Sequence, residues 1–435
     1  MIRKLTICIL LLLLIALAVE TPDIAAQKPG RIEIGEWRDV LRVVKTELKD
    51  SYYDPTFHGV DIDERFKEAE AKMASAVSIE QLAGIVAQVL LDLNDSHTYF
   101  LPPHDSIRME YGWRMQPVGD DCYVGAVKPG SDAEAKGLRA GDKVLTIDGK
   151  PMDRSKIWLA NYLYYKLRRQ PTMTLLVEKP DKQRQELTIK AKKRNDVFLV
   201  DYNFYFVQRE PYREEERRTG DRFQALSDDV LVWNMREFEF TPEGLEKGIG
   251  KLKKRKALIL DLRGNAGGYT RSIEDFAGYF FDSNIKIAER RGRKQLKPMM
   301  VRTKKDNVFS GKLIVLIDGR SSSEAEVFAR LVQLEKRGLV IGDRSSGSVM
   351  QASYRPLQIG ALKMTDFGIV ATAADLITAD GKSLEQVGVT PDVLMLPTAE
   401  DMSTNSDPVL AHAASLLGVS LDPKKAGQMF PTEWK

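Results

Sequence analysis

Cysteine and histidine are scarce in this chain. Only Cys8 and Cys122 occur among 435 residues, and the four histidines stand at His58, His97, His104 and His412. Two cysteines exclude a disulfide framework and a four-cysteine zinc site, and four scattered histidines argue against a multi-histidine metal centre. No metal and no organic cofactor is expected. Excess charge of one sign is also lacking: the formal net charge is +3, which leaves no footprint for nucleic acid, and the basic run Lys251 to Lys256 reads as a solvated helix end. Internal repeats and low-complexity segments are absent. With 43% hydrophobic and 29% charged residues, disorder is excluded as the main state. The length exceeds one compact core and implies two or three folded units.

The long apolar run from Leu5 to Val19 follows Arg3 and Lys4, carries the small residues Ala16 and Ala18 at its end, and precedes Ala25-Ala26. A short basic region, an apolar region and an A-x-A-like site read as a secretory signal peptide, with cleavage after Ala18 or Ala26. The run falls short of the ~20 residues that a spanning helix needs. The expectation is export to a periplasmic or extracellular space, with no stable membrane span once residues 1–26 are removed. Cys8 precedes most of the apolar region, which argues against a lipoprotein. Cys122, in the strand-like DCYVGAV, reads as a small buried hydrophobe.

Residues 27–104 read mostly as helix: Trp37, Val40, Leu41, Val44 and Leu48 recur at helical spacing, and Ser78 opens a second run through Leu90. Residues 105–195 change to short alternating β segments between Gly, Pro and Asp turns. Residues 196–400 alternate apolar strands (DVLVWNM, ALILDLRG, KLIVLIDG, LVIGD) with helices, an arrangement that predicts an α/β core with a mainly parallel sheet. Residues 401–435 form a polar tail with one helical patch.

Four segments carry side chains suited to chemistry. In DLRGNAGGY, Gly264, Gly267 and Gly268 follow a strand, and such a loop points backbone N–H groups at a ligand; a plain turn is the competing reading. In DGRSSSEAEVF, serines 321 to 323 lead from a strand into a helix, which suits either an exposed nucleophile or a helix cap. In DSHTYF, His97 beside Ser96 supplies a base for neutral pH, with His104 as its rival. In SLEQVGVTPDV, Glu385 is a carboxylate able to orient a hydroxyl or an imidazole. His58 and His412 lack a turn or strand-end setting.

Taken together, these segments resemble the family of C-terminal processing peptidases and tricorn-like serine peptidases, and VKPGSDAEAKGLRAGDKVLTIDGKPM resembles the strand–helix–strand signature of a PDZ domain. The resemblance implies a multidomain α/β protein: a helical N-terminal domain (27–104), a PDZ-like β domain (105–195) and a ClpP/crotonase-like catalytic core with a mainly parallel sheet (196–400). In the processing branch the nucleophilic serine lies three residues before a helix glutamate. That glutamate matches Glu326, which makes Ser323 the nucleophile, with Ser321 or Ser322 if the register slips. The lysine base of that branch has no match at Gly347-Ser348. The tricorn-like branch uses a Ser-His pair, matching Ser96 and His97, and a carboxylate matching Glu385. The resemblance further implies an oxyanion hole from the backbone amides of Gly267, Gly268 and Glu324. It also implies a PDZ loop at Tyr111, Gly112, Trp113 and Arg114 that takes peptide C-termini. The expected activity is that of an exported serine endopeptidase acting on unstructured or damaged protein tails recruited by the PDZ domain. Two alternatives stay open: a catalytically silent binding protein on the same fold, as in a retinoid-binding protein of the eye, and a peptidase using another base such as Lys363 or Lys382.

Overall fold

The computed structural model describes residues 29–102, 107–167, 170–195, 222–357 and 367–432. The signal-peptide segment, His104 and Lys363 lie outside the described residues.

Three helices open the described chain: Arg31–Ser51, Ile62–Met73 and Ile79–Leu91. The apolar stripe Trp37, Val40, Leu41, Val44 and Leu48 is the buried face of the first, as its 3.6-residue spacing requires. Asp61 and Ser78 cap the other two by accepting the N–H of Glu64 and Gln81. These helices share their core with the rest of the molecule: Trp37, Leu48 and Val86 belong to the same hydrophobic cluster as Phe367, Ile369 and Val370. After Leu91 the chain reverses through Asn94, at φ +50°, and enters strand Tyr99–Leu101. That strand pairs antiparallel with Gly368–Thr378, Tyr99 facing Val370.

The middle of the chain forms its own antiparallel sheet, in the order Trp113–Val118, Asp121–Val127, Lys143–Ile147, Thr172–Glu178 and Arg184–Lys190. Cys122 is buried there at 0% exposure, with Trp113, Val124 and Leu175 in the same cluster.

The expectation of a catalytic core built on a mainly parallel, ClpP/crotonase-like sheet is corrected by the strand pairings. Residues 222–394 divide between two sheets. One runs Arg222–Ala225, Val230–Asn234, Ala257–Asp261, Lys312–Ile317, Leu339–Gly342 and Val393–Leu394, antiparallel at its first pair and parallel at the others. The other joins Tyr99–Leu101, Gly368–Thr378, Lys286–Arg291, Met299–Met300 and Met350–Pro356, and it is antiparallel throughout. Every other ladder among the described residues is antiparallel as well. The physical reason lies in the connections. A parallel neighbour needs a crossover, usually a helix, whereas strands joined by short turns return antiparallel. Helices Pro242–Gly250 and Glu324–Leu334 supply such crossovers; no helix separates Met350–Pro356 from Gly368–Thr378 among the described residues.

An aromatic cluster lies between the glycine loop and the helix that follows the serine turn. Phe276 meets Phe238 at 5.5 Å and Phe328 at 5.1 Å between ring centroids. Phe328 lies on helix Glu324–Leu334, and Phe238 abuts the glycine loop. Truncating a buried phenylalanine typically costs about 3–5 kcal/mol, so this cluster holds the loop against the helix. Among the described residues no helix is long and apolar enough to cross a membrane.

Candidate active site

Strand Lys312–Ile317 ends at Asp318, whose carboxylate accepts the N–H of Gly264 and of Arg320 and so ties the serine turn to the glycine loop. Ser321 donates its hydroxyl to the Leu262 carbonyl at 2.8 Å, and Ser322 gives its N–H to the Asn265 carbonyl. Ser323 then sits at φ +55°, ψ −122°, immediately before helix Glu324–Leu334. A non-glycine residue at positive φ is strained and persists only where its surroundings hold it. Here its N–H is shared between the Ser348 carbonyl at 2.9 Å and Glu326 Oε2 at 3.0 Å. The Ser323 hydroxyl donates to Glu324 Oε2 at 2.8 Å.

Opposite the serine lies the glycine loop. Gly267 stands at φ +97°, and a Cβ there would come within 2.6 Å of the Ser323 Cβ. Its N–H is taken by Asn265 Oδ1 at 2.8 Å, while the Gly268 N–H donates to Glu324 Oε2 at 2.8 Å. Of the expected oxyanion donors, the Gly268 amide therefore reaches the serine's own partner, and the Gly267 amide is engaged within its loop. Glu324 contributes a side chain at this point, which its expected role as a backbone donor did not include.

The histidine segment arrives from the far end of the fold. His97 is 1% exposed. Its Nδ1 lies 2.6 Å from Ser96 Oγ, and that hydroxyl donates to Glu385 Oε2 at 3.0 Å. The Ser96 and Val349 N–H groups also donate to Glu385. Ser96 has one hydroxyl proton. With Glu385 ionised it goes to the carboxylate, so His97 Nδ1 donates and Nε2 keeps the lone pair that a base needs. Asp95 accepts the His97 N–H at 2.8 Å and hydroxyls from Thr98 and Thr372, which fixes the reversal that carries the ring. Ser348 bridges the two halves: its carbonyl bonds Ser323 and its hydroxyl lies 3.4 Å from His97 Nδ1. His58 bonds Tyr53 and the Leu93 carbonyl, His412 lies on helix Pro408–Leu416, and Lys382 is exposed.

A family model for peptidase family S41 matches residues 229–395, and one for the PDZ domain matches residues 123–177. The S41 match takes in the serine turn, the glycine loop and Glu385. It is similar to the carboxy-terminal processing protease CtpB of Bacillus subtilis, at 24% identity over 81% of this chain and 73% of that protein. It is also similar to the chloroplastic carboxyl-terminal-processing peptidase 1 of Arabidopsis thaliana, at 22% identity over 77% and 67%. Among solved structures, mature CPAF superposes with a TM-score of 0.64 at 14% identity, covering 91% of this chain and 98% of that one; this likeness shows the fold alone. The family match and the relatives class the chain as a serine-type peptidase.

The four consecutive residues expected to bind peptide tails, Tyr111 to Arg114, are buried. Tyr111 is buried, with its hydroxyl on the Gln170 carbonyl and its ring against Tyr164 and Tyr165. Gly112, at φ +73°, offers its carbonyl to the Lys128 N–H. Trp113 and Arg114 are buried. Arg114 lines a cavity of about 270 Å³ with Asp318 and Arg320. The PDZ sheet touches the serine turn directly. Gln116 donates to Asp318, and Arg154 donates to Asp343 and to the Ser345 carbonyl.

Three buried groups escaped the sequence reading as parts of the site. Glu326 accepts from Ser323, Gly347 and Ser348 N–H groups and from the Ser345 hydroxyl; its place three residues after a serine before an apolar run was a usable signal. Asp95 and Asn265 carried none beyond adjacency to His97 and to the glycines.

Burial sets the ionisation of the site. It pushes Glu385 up to about 8, with the charge of Asp95 adding and the three donors opposing. Burial also pushes Glu326 up to about 7, raises Asp95, and holds His97 well below its ordinary 6.5. A carboxyl whose folded pKa exceeds its unfolded value binds more protons when folded, and that stability is lost as pH rises through the folded pKa. A depressed histidine acts oppositely, below its unfolded pKa. Between pH 6.5 and about 8 only the carboxyls count, so folding stability is expected to fall as pH rises across that window. Urea titrations at several pH values check this: Glu326→Gln and Glu385→Gln should each flatten the slope, and a stability that climbs over the window contradicts it.

Proposed function

We propose that this chain is an endopeptidase in which Ser323 attacks the scissile carbonyl and His97 takes its proton. Ser96 and Glu385 orient the imidazole. The observation that carries the reading is the Glu385–Ser96–His97 chain of hydrogen bonds, closed across 289 residues of sequence. A structural histidine has little need of a serine and a buried carboxylate aligned behind Nδ1; a general base does. Attack transfers the Ser323 proton to Nε2, and the carbonyl oxygen becomes an oxyanion facing the Gly268 N–H. Collapse expels the amine, which takes the proton from His97. Water, activated by the same nitrogen, then releases the acyl group and restores Ser323.

Substrates are proteins with accessible C-termini, by analogy with the carboxy-terminal processing relatives and the PDZ match. An exported location fits the apolar N-terminus of the sequence.

A second reading keeps hydrolysis but assigns a lysine as base. The sequence relatives favour it over the first, because they are named as C-terminal processing enzymes, the branch for which the resemblance gives a lysine. A fluorophosphonate probe separates the readings. Labelling at pH 7.5 that maps to Ser323 and disappears in His97→Ala is expected. Labelling that persists in His97→Ala transfers the role to a lysine, and no labelling of any form returns the chain to a silent binding protein.

A further inference from the structure

The amide that faces a developing oxyanion already holds a carboxylate of the same chain. Glu324 Oε2 accepts the Gly268 N–H at 2.8 Å and the Ser323 hydroxyl at 2.8 Å. One oxygen thus touches the nucleophile and the oxyanion donor together. In acyl transfer that position belongs to the scissile carbonyl oxygen. The two cannot share it.

The fit is close. Glu324 is 5% exposed and is the first residue of the 11-residue helix Glu324–Leu334. Space for its carboxylate exists because residue 267 is glycine: a Cβ there would stand 2.9 Å from Glu324 Oε2. The loop side of the contact is fixed. The Phe238 N–H bonds the Gly267 carbonyl at 2.7 Å, and the Tyr269 N–H bonds the Phe238 carbonyl at 2.9 Å. A Cβ at Gly268 would fall 2.0 Å from that same carbonyl oxygen. The strained Ser323 backbone is fixed as well, by Ser348 and Glu326. Among these groups the Glu324 side chain has rotamers to explore, and the backbones do not.

We propose that Glu324 is an internal competitor for the oxyanion position, and that its side chain must rotate out before a peptide carbonyl can bind. This rests on the reading of Ser323 as nucleophile. The contact restrains the enzyme twice. It fills the place of the carbonyl oxygen, and it draws the single Ser323 hydroxyl proton towards Glu324, away from His97. No covalent bond changes; one rotamer is exchanged for a substrate.

The test compares the full chain with Glu324→Ala and Glu324→Gln by the rate of fluorophosphonate labelling and by casein turnover, with thermal unfolding as the check on folding. Removing a charge-assisted hydrogen bond that competes with substrate is expected to speed labelling about tenfold in Glu324→Ala. Glu324→Gln keeps the size but loses the charge, so a smaller acceleration is expected, and this variant decides the matter should the alanine form unfold. Labelling of the wild type at Ser323 with no acceleration in a folded variant overturns the role of Glu324 and leaves the nucleophile standing. Slower labelling in a folded variant overturns it too, and makes the carboxylate a helper of the serine. No labelling at residue 323 in any of the three forms overturns the nucleophile assignment itself.

Discussion

Replacing Ser323 by alanine is expected to lower casein hydrolysis by at least about 10⁴-fold while the protein remains folded. The Ser323 backbone is held by its own N–H and by its place at the helix start, not by its hydroxyl. Deleting Oγ removes one hydrogen bond, to Glu324, and leaves the strained turn, the helix and the loop in place. Alanine at positive φ carries the same backbone penalty as serine, so a change in melting temperature should be small. Neighbouring Ser321 gives the contrast. Its hydroxyl is committed to the Leu262 carbonyl and bonds the Asp318 N–H, so Ser321→Ala should cost stability rather than chemistry. Near-normal turnover by purified Ser323→Ala would end the nucleophile assignment.

The second large effect is expected at His97. His97→Ala should reduce turnover by a factor comparable to that of Ser323→Ala, because a serine hydroxyl is a poor nucleophile without a base to take its proton. Residues behind the ring should matter less. Above pH 8, where Glu385 is ionised, Glu385→Gln leaves an amide that can still face Ser96 but carries no charge for the imidazolium to meet, and a loss of about 10²-fold or more is expected there, concentrated in kcat. The two substitutions together should cost no more than His97→Ala alone, since they act on one unit. If the losses multiplied instead, Glu385 would be acting on something other than His97. Steady-state kinetics of the three variants, with KM followed separately, decides this. The lysine reading makes the opposite forecast: His97→Ala would retain most of the activity.

Much of the local structure is legible in the sequence because it is set by short-range patterns. The spacing of Trp37, Val40, Leu41, Val44 and Leu48 gives the first helix and its buried face. The apolar runs ending in Asp261 and Asp318 give strands of the mixed six-stranded sheet and place the glycine loop and the serine turn at their ends. What the pattern hides is pairing at long range. Nothing in TYFL announces that it lies along Gly368–Thr378, and it is this antiparallel pairing, outside any strand–helix alternation, that carries His97 into the site. Side-chain direction is hidden too. Glu324 offers a backbone amide by position, but its carboxylate folds back over Ser323. Arg114 follows a PDZ-like glycine yet lies buried beside the serine turn, because the β sheet that bears it leans on Asp318 and Asp343. Glu326 was visible as a spacing marker, and only the packed interior shows it collecting four donors.

The hydrogen bond between Ser96 and Glu385 joins segments 289 positions apart in the sequence. On the proposed reading, local unfolding of either segment would undo the alignment of the imidazole while leaving the serine turn and the glycine loop intact, so hydrolysis would be lost before the fold as a whole.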